Sequence, residues 1–325
     1  MEHATLGPFQ NVSRLTLGGG GLGRIWGETS IAEAIATVHA AVDARITLID
    51  TAPMYRDCEE VIGKAFSGAL PVGLRMTTKH QLGAPPLGEA AQRLEASLNA
   101  SLSAMNLDRV DIFFLHSNIR PDDYAYALSD HRKDQFSTPW TTYVEEVVPA
   151  MQSLKARGRI GAWGVTGVGV PGSILDAIAH DPAPDVIQAV ANLMDSPGGM
   201  RRYDEPARPR EIIAAAKARG LGVMGIRAVQ AGALTSAIDR DLRPDHPESL
   251  DFARAAGFRA LCAEVGADPA MIAHRYALDM VGVDTVVLGV KNRAELAQCL
   301  EAEAQGPLPE AFKQRIDALG LRNPA

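Results

Sequence analysis

Aromatic side chains make up only 5% of the 325 residues, and there are just three cysteines, Cys58, Cys262 and Cys299. Their odd number and their spacings match no disulfide framework and no metal motif, and a reducing compartment is the simpler reading. Positive charge is not in excess either. Lys and Arg number 32 against 39 Asp and Glu, a net charge of −7, which argues against nucleic acid or acidic membranes as main partners, since both need a basic face. No apolar run reaches the roughly 18 residues of a membrane helix. The opening MEHATLGPFQNVSRL carries an early glutamate and no continuous apolar stretch of the secretory type. His, Cys and carboxylates nowhere take metal-ligand spacing, and H-E-x-x-H is absent. No linker or low-complexity tract divides the chain. The expectation is a cytoplasmic protein with residues 1–325 in a single domain, although length alone would also fit two.

What the chain does have is alternation. Short apolar runs at 13–18, 46–50, 74–79, 110–116, 160–167, 186–192, 222–228 and 285–290 read as strands. Each is followed by an amphipathic helical stretch. The first helix spans 30–44, with Ser30 as N-cap and Glu33 completing a capping box; the next, CEEVIGKAFSG, ends at Gly68. Alternating β and α implies a parallel sheet, and eight such units fit a closed (β/α)8 TIM barrel with a C-terminal helix. The competitor is an open doubly wound sheet. Residues 117–141 form an insert too long for a plain connection, so a functional role is expected of it.

LGGGGLGRIWG holds G-x-G-x-x-G at Gly18, Gly20 and Gly23 after a strand, which resembles a dinucleotide fingerprint. The match is poor in context. The helix opens at Ser30 rather than at the third glycine, Asp50 is farther on than the usual 20 or so residues, and TAPMY is no ribose-binding turn. A flexible loop at a barrel mouth is the better reading.

In a barrel, strand C-termini line the site. Asp50, Lys79 and His116 end strands two, three and four, and Tyr55 follows strand two closely. Together they make chemical sense. A phenol is a poor acid at neutral pH, a nearby ammonium lowers its pKa, and Lys79 can supply that charge. Asp50 can hold Lys79 charged, and His116 can hydrogen-bond a carbonyl oxygen. The set lacks an electron source, so a cofactor must bring hydride.

These four positions, in order and spacing, closely resemble the catalytic tetrad of the aldo-keto reductase family. IDTAPMYRDCEEVIGKA and RLEASLNASLSAMNLDRVDIFFLH resemble two of its extended motifs, with Cys58 where serine is usual. The resemblance covers roughly residues 10–305. It implies a nicotinamide dinucleotide across the barrel mouth, with Thr166 and Gln188 at the nicotinamide amide. Thr166-Gly167 replaces the usual Ser-Asn. Ile226 stands where a stacking tyrosine is usual, with Arg227 beside it as a candidate for the pyrophosphate. GVKNRAELAQC, from Gly289, resembles the segment that holds the adenosine 2′-phosphate, with Lys291, Asn292 and Arg293 as phosphate donors. Glu295 and Cys299 depart from the pattern, and a carboxylate there favours a ribose hydroxyl. NADP(H) is the favoured cofactor, with NAD(H) the alternative.

The few aromatics gather in loops. Trp26, Met54 and Trp140 are candidates for the substrate pocket, and Tyr124, Tyr126 and Phe136 lie in the same loops. The expected partner is a small carbonyl or alcohol, with a bulky ring ketone as the leading candidate for an NADP(H)-dependent reductase. The alternatives are an NAD-dependent dehydrogenase of a sugar or ring alcohol and a cofactor-binding regulatory barrel without turnover. The oligomeric state is left open.

Overall fold

The structure, a computed structural model, describes residues 1–322. Its centre is a closed barrel of parallel strands: β1 (Leu15–Gly18), β2 (Leu48–Asp50), β3 (Arg75–His80), β4 (Val110–Leu115), β5 (Ile160–Gly167), β6 (Val186–Val190), β7 (Gly222–Ile226) and β8 (Thr285–Leu288). Strands adjacent in this series are adjacent in space, and β8 closes on β1 through Val286↔Leu15 and Leu288↔Leu17. The (β/α)8 expectation holds, each strand falls within a residue or two of an apolar run, and the open sheet is excluded.

Both strand faces are buried, which is why the runs read as continuously apolar rather than alternating. Leu48, Ile112, Phe114, Ala162, Val186 and Met224 fill the barrel interior. Ile49, Phe113, Leu115, Trp163, Ile187 and Val223 face the helices. Gly164 belongs to the interior packing, because an added Cβ would fall 2.3 Å from the Phe114 ring.

Three features were not legible beforehand. An antiparallel hairpin, His3–Leu6 with Phe9–Ser13, sends Leu6 and Val12 into the interior cluster. The insert is folded: Asn118–Arg120 pairs with Ser137–Pro139, and buried Arg120 ties it together through Ser137 Oγ at 3.0 Å and Asp134 Oδ1 at 2.9 Å. The capping box is half formed. Ser30 accepts from the Glu33 amide at 3.0 Å, but the Glu33 carboxylate pairs with Arg293 instead.

The glycine run is packed rather than flexible. Gly19–Leu22 makes one helical turn with every residue buried. An added Cβ at Gly21 would lie 2.0 Å from the Val290 carbonyl oxygen, and one at Gly23 would lie 1.8 Å from that of Tyr55. The glycines therefore permit close backbone approach, Gly23 to the turn that carries Tyr55 and Gly21 to the loop after β8. Among the described residues no helix is long and apolar enough to cross a membrane. Gly23→Ala is expected to lower stability by about 1–3 kcal/mol, the usual cost of overpacking, read as a lower urea midpoint at unchanged m-value.

Candidate active site

Asp50, Lys79 and His116 reach the C-terminal mouth of the barrel from the ends of β2, β3 and β4. Tyr55 arrives by a turn in which its amide donates to the Ala52 carbonyl at 2.9 Å. The four residues meet. Lys79 Nζ donates to Asp50 Oδ2 at 2.6 Å, to the Thr51 carbonyl at 2.9 Å and to the Tyr55 hydroxyl oxygen at 3.3 Å. Lys79 is fully buried, and its three N–H groups each find an acceptor. Asp50 Oδ1 accepts from Thr77 Oγ1 at 2.6 Å and Gln188 Nε2 at 2.7 Å. The His116 ring stands edge-on to Tyr55, 5.9 Å between centroids. Its Nδ1 is buried without a partner.

The electrostatics depart from one expectation. Burial pushes the Tyr55 phenol above its ordinary pKa; Lys79 pulls it down, but Asp50 pushes it up again. The ammonium does not win, because its own counter-ion lies beside it and the site is desolvated. Burial alone would lower Lys79, yet Asp50 and Tyr55 carry it above the usual lysine value. His116 is driven down to about 3, by burial first and then by Lys79 and His80, so its imidazole is neutral at pH 7.

Thr77, Thr51 and Glu59 were missed from sequence. Thr77 had a signal, since it lies two residues before Lys79 on the same face of β3. Thr78 points the other way and donates to buried Glu59 at 2.5 Å. Burial raises the Glu59 pKa against the pull of Thr78, Ser101 and Thr51. Thr51 thus joins two layers: its carbonyl holds Lys79, and its hydroxyl donates to the Thr77 carbonyl at 2.7 Å.

The aldo/keto reductase family profile matches residues 14–320. The chain belongs to the aldo/keto reductase family. Family members are oxidoreductases that generally use NAD(P)H. Among curated relatives, L-galactose dehydrogenase of Arabidopsis thaliana is 24% identical over 90% of this chain and 84% of its own length. Methylglyoxal reductase YeaE of Escherichia coli is 30% identical over 41% of this chain and 38% of its own. Among solved structures, a glycerol dehydrogenase from Gluconobacter oxydans superposes with a TM-score of 0.72 at 22% identity, covering 99% of this chain and 97% of the other. A Bacillus halodurans aldo-keto reductase in its holo form gives 0.71 at 19%, covering 98% and 96%.

The remaining residues singled out in this aldo/keto reductase fall into two groups. Thr166 and Gln188 are register partners on β5 and β6. Thr166 Oγ1 has only long contacts, 3.4 and 3.3 Å, to the carbonyls of Leu115 and His116. Met54 is exposed on the turn before Tyr55. Trp26 lies against Gly289, whose added Cβ would be 3.7 Å from the indole, and under Arg240 at 5.3 Å.

The second group is engaged within the protein. Arg227, partly buried, donates to Glu248 at 2.6 Å and to Gln230 at 2.7 Å, at a backbone φ of 62°. Lys291 and Arg293 are paired with carboxylates, and Glu295 with the Lys291 amide. Cys299 faces His274 at 3.6 Å. Trp140 packs on Tyr143 and His180 in the helical layer, at 5.5 and 6.1 Å. Tyr126 and Tyr203 are buried in a cluster with Val170, against which Tyr124 and Phe136 pack. The aromatics of the insert are thus packed on one another and on Val170 and Tyr203.

The depressed His116 pKa has a consequence for stability. The unfolded imidazole protonates near pH 6.5 and the folded one only near 3, so the unfolded state binds more protons between these values. Stability is complete above about pH 6.5 and is lost as pH falls through this window. Urea unfolding from pH 7.5 to 4.5 is expected to show a shallower acid loss for His116→Gln than for the wild type.

Proposed function

We propose that this aldo/keto reductase interconverts a carbonyl and an alcohol on a small molecule, with Tyr55 as the proton donor in reduction. The observation that carries the reading is the fully buried Lys79, bonded at once to Asp50 and to the Tyr55 hydroxyl. A bound nicotinamide dinucleotide would supply the hydride in reduction and take it in oxidation. The residues at the mouth fit such a group. Gln188 commits its amide nitrogen to Asp50, which leaves its carbonyl oxygen to accept from a carboxamide. The Thr166 hydroxyl has only long internal contacts.

The proton logic follows from the environment. Burial keeps the Tyr55 phenol protonated until negative charge develops on the substrate oxygen. Lys79 matters most at that point, because the phenolate then forming sits against its ammonium. Asp50 holds the ammonium in place through Oδ2, while Thr77 and Gln188 fix Oδ1. Neutral His116 donates a hydrogen bond to the carbonyl oxygen and orients it. In oxidation the same groups run in reverse.

A bulky ring ketone is one substrate class. A sugar or polyol is the second reading, supported by two observations. The insert aromatics are occupied with one another, and a relative similar over 90% of this chain is named for L-galactose oxidation. Tyr55→Phe separates this catalytic reading from a cofactor-binding barrel without turnover. The variant is expected to lose about 10²–10⁴ in kcat while binding nicotinamide cofactor as the wild type does. Turnover by Tyr55→Phe at the wild-type rate would remove Tyr55 from the mechanism.

A further inference from the structure

We infer that the adenosine end of the site selects NAD(H) over NADP(H), the reverse of what Lys291 and Arg293 suggest in the sequence. The inference rests on the reading that this barrel binds a nicotinamide dinucleotide with its adenosine end at the loop after β8.

A 2′-phosphate needs uncommitted positive charge and N–H donors. Both kinds of donor are present in this loop, and each of the two side-chain cations is already paired with carboxylates. Lys291 Nζ is bonded to Asp239 and lies 3.3 Å from Glu295 Oε1. The Arg293 guanidinium forks onto Glu33, Nε to Oε1 at 3.1 Å and Nη2 to Oε2 at 2.9 Å.

Three of the backbone amides are engaged in the same way. The helix Arg293–Ala304 begins here. The Lys291 amide donates to Glu295 Oε2 at 2.8 Å, the Arg293 amide to Glu33 Oε1 at 3.0 Å, and the Glu295 amide to Asn292 Oδ1 at 2.9 Å. With Arg240, which lies 3.5 Å from Asp239, three cations face three carboxylates, Asp239, Glu295 and Glu33, so the cluster carries no net positive charge. A phosphate entering this cluster meets a carboxylate on each cation and stays beside that negative charge.

A ribose hydroxyl meets the opposite situation. It brings a donor, and a carboxylate is the acceptor that suits it; an acidic side chain that reads the ribose 2′-hydroxyl is the standard solution in other dinucleotide sites. Glu295 is the best placed of the three. It sits in the first turn of the helix, is partly exposed, and bonds the backbone just before that helix. Asp239 and Glu33 hold the two cations back from a phosphate.

The test is a binding measurement. NADH and NADPH would be titrated separately into the purified full chain, following nicotinamide fluorescence and, independently, calorimetric heat. NADH is expected to bind at least tenfold more tightly. In the double variant Asp239→Asn, Glu295→Gln the ratio should move at least tenfold toward NADPH, chiefly through tighter NADPH binding.

A wild-type preference for NADPH would overturn the inference and leave the proposed function standing. So would an unchanged ratio in a double variant that melts as the wild type does. Binding of neither nucleotide by the wild type would overturn the proposed function together with the inference.

Discussion

A lysine with no solvent exposure organises this site. Removing an ammonium and a carboxylate from water costs several kcal/mol each, and attraction alone offsets this only when the remaining donors and acceptors are satisfied. Lys79 meets that condition with three acceptors, Asp50, Thr51 and Tyr55. Asp50 meets it with Lys79, Thr77 and Gln188. The pair therefore draws in residues of β2, β3 and β6 and the turn after β2, and it dictates where the Tyr55 hydroxyl can lie. Removal of one partner leaves the other charged and buried, so the pair constrains the mouth of the barrel as well as its chemistry.

Around that pair, burial and charge work against each other, and the outcome differs by residue. For Lys79 the charge wins, because Asp50 is in direct contact. For Tyr55 burial wins, because Asp50 opposes the pull of Lys79. For His116 both act in the same direction, since burial and Lys79 each disfavour the imidazolium. The result is a cationic lysine beside two neutral proton carriers at pH 7. That is a suitable resting state for the proton donation proposed for Tyr55.

The barrel supplies a rigid frame, and the loops at its mouth supply the particulars. The glycine run lies so close to the Tyr55 turn, through Gly23, and to the loop after β8, through Gly21, that side chains are excluded from it. The loop after β7 sends Asp239 to Lys291 and Arg240 over Trp26. Glu33, from the helix after β1, reaches the loop after β8. Each of these contacts joins segments far apart in the chain, and together they set the charge at the loop after β8.

The strands, their order and the four residues at their ends were readable in the chain. Apolar runs between amphipathic helices admit few arrangements, and polar residues that end such runs stand out. Asp50, Tyr55, Lys79 and His116 belong to this class. The N-terminal hairpin did not, because Gly7 and Pro8 interrupt its pattern and its burial depends on a barrel formed by the rest of the chain. Nor could the surroundings of Lys291, Arg293 and Trp140 be read. A cation in a sequence looks available for a phosphate; only tertiary contacts with Asp239, Glu295 and Glu33 show that its charge is already answered. An aromatic residue in a loop looks like a substrate wall until its packing partners are known. Local pattern determined the barrel and its catalytic candidates, because periodicity and strand ends are properties of contiguous residues. Charge balance, protonation and loop packing were decided in three dimensions, because each is a sum over neighbours that the chain brings together only on folding.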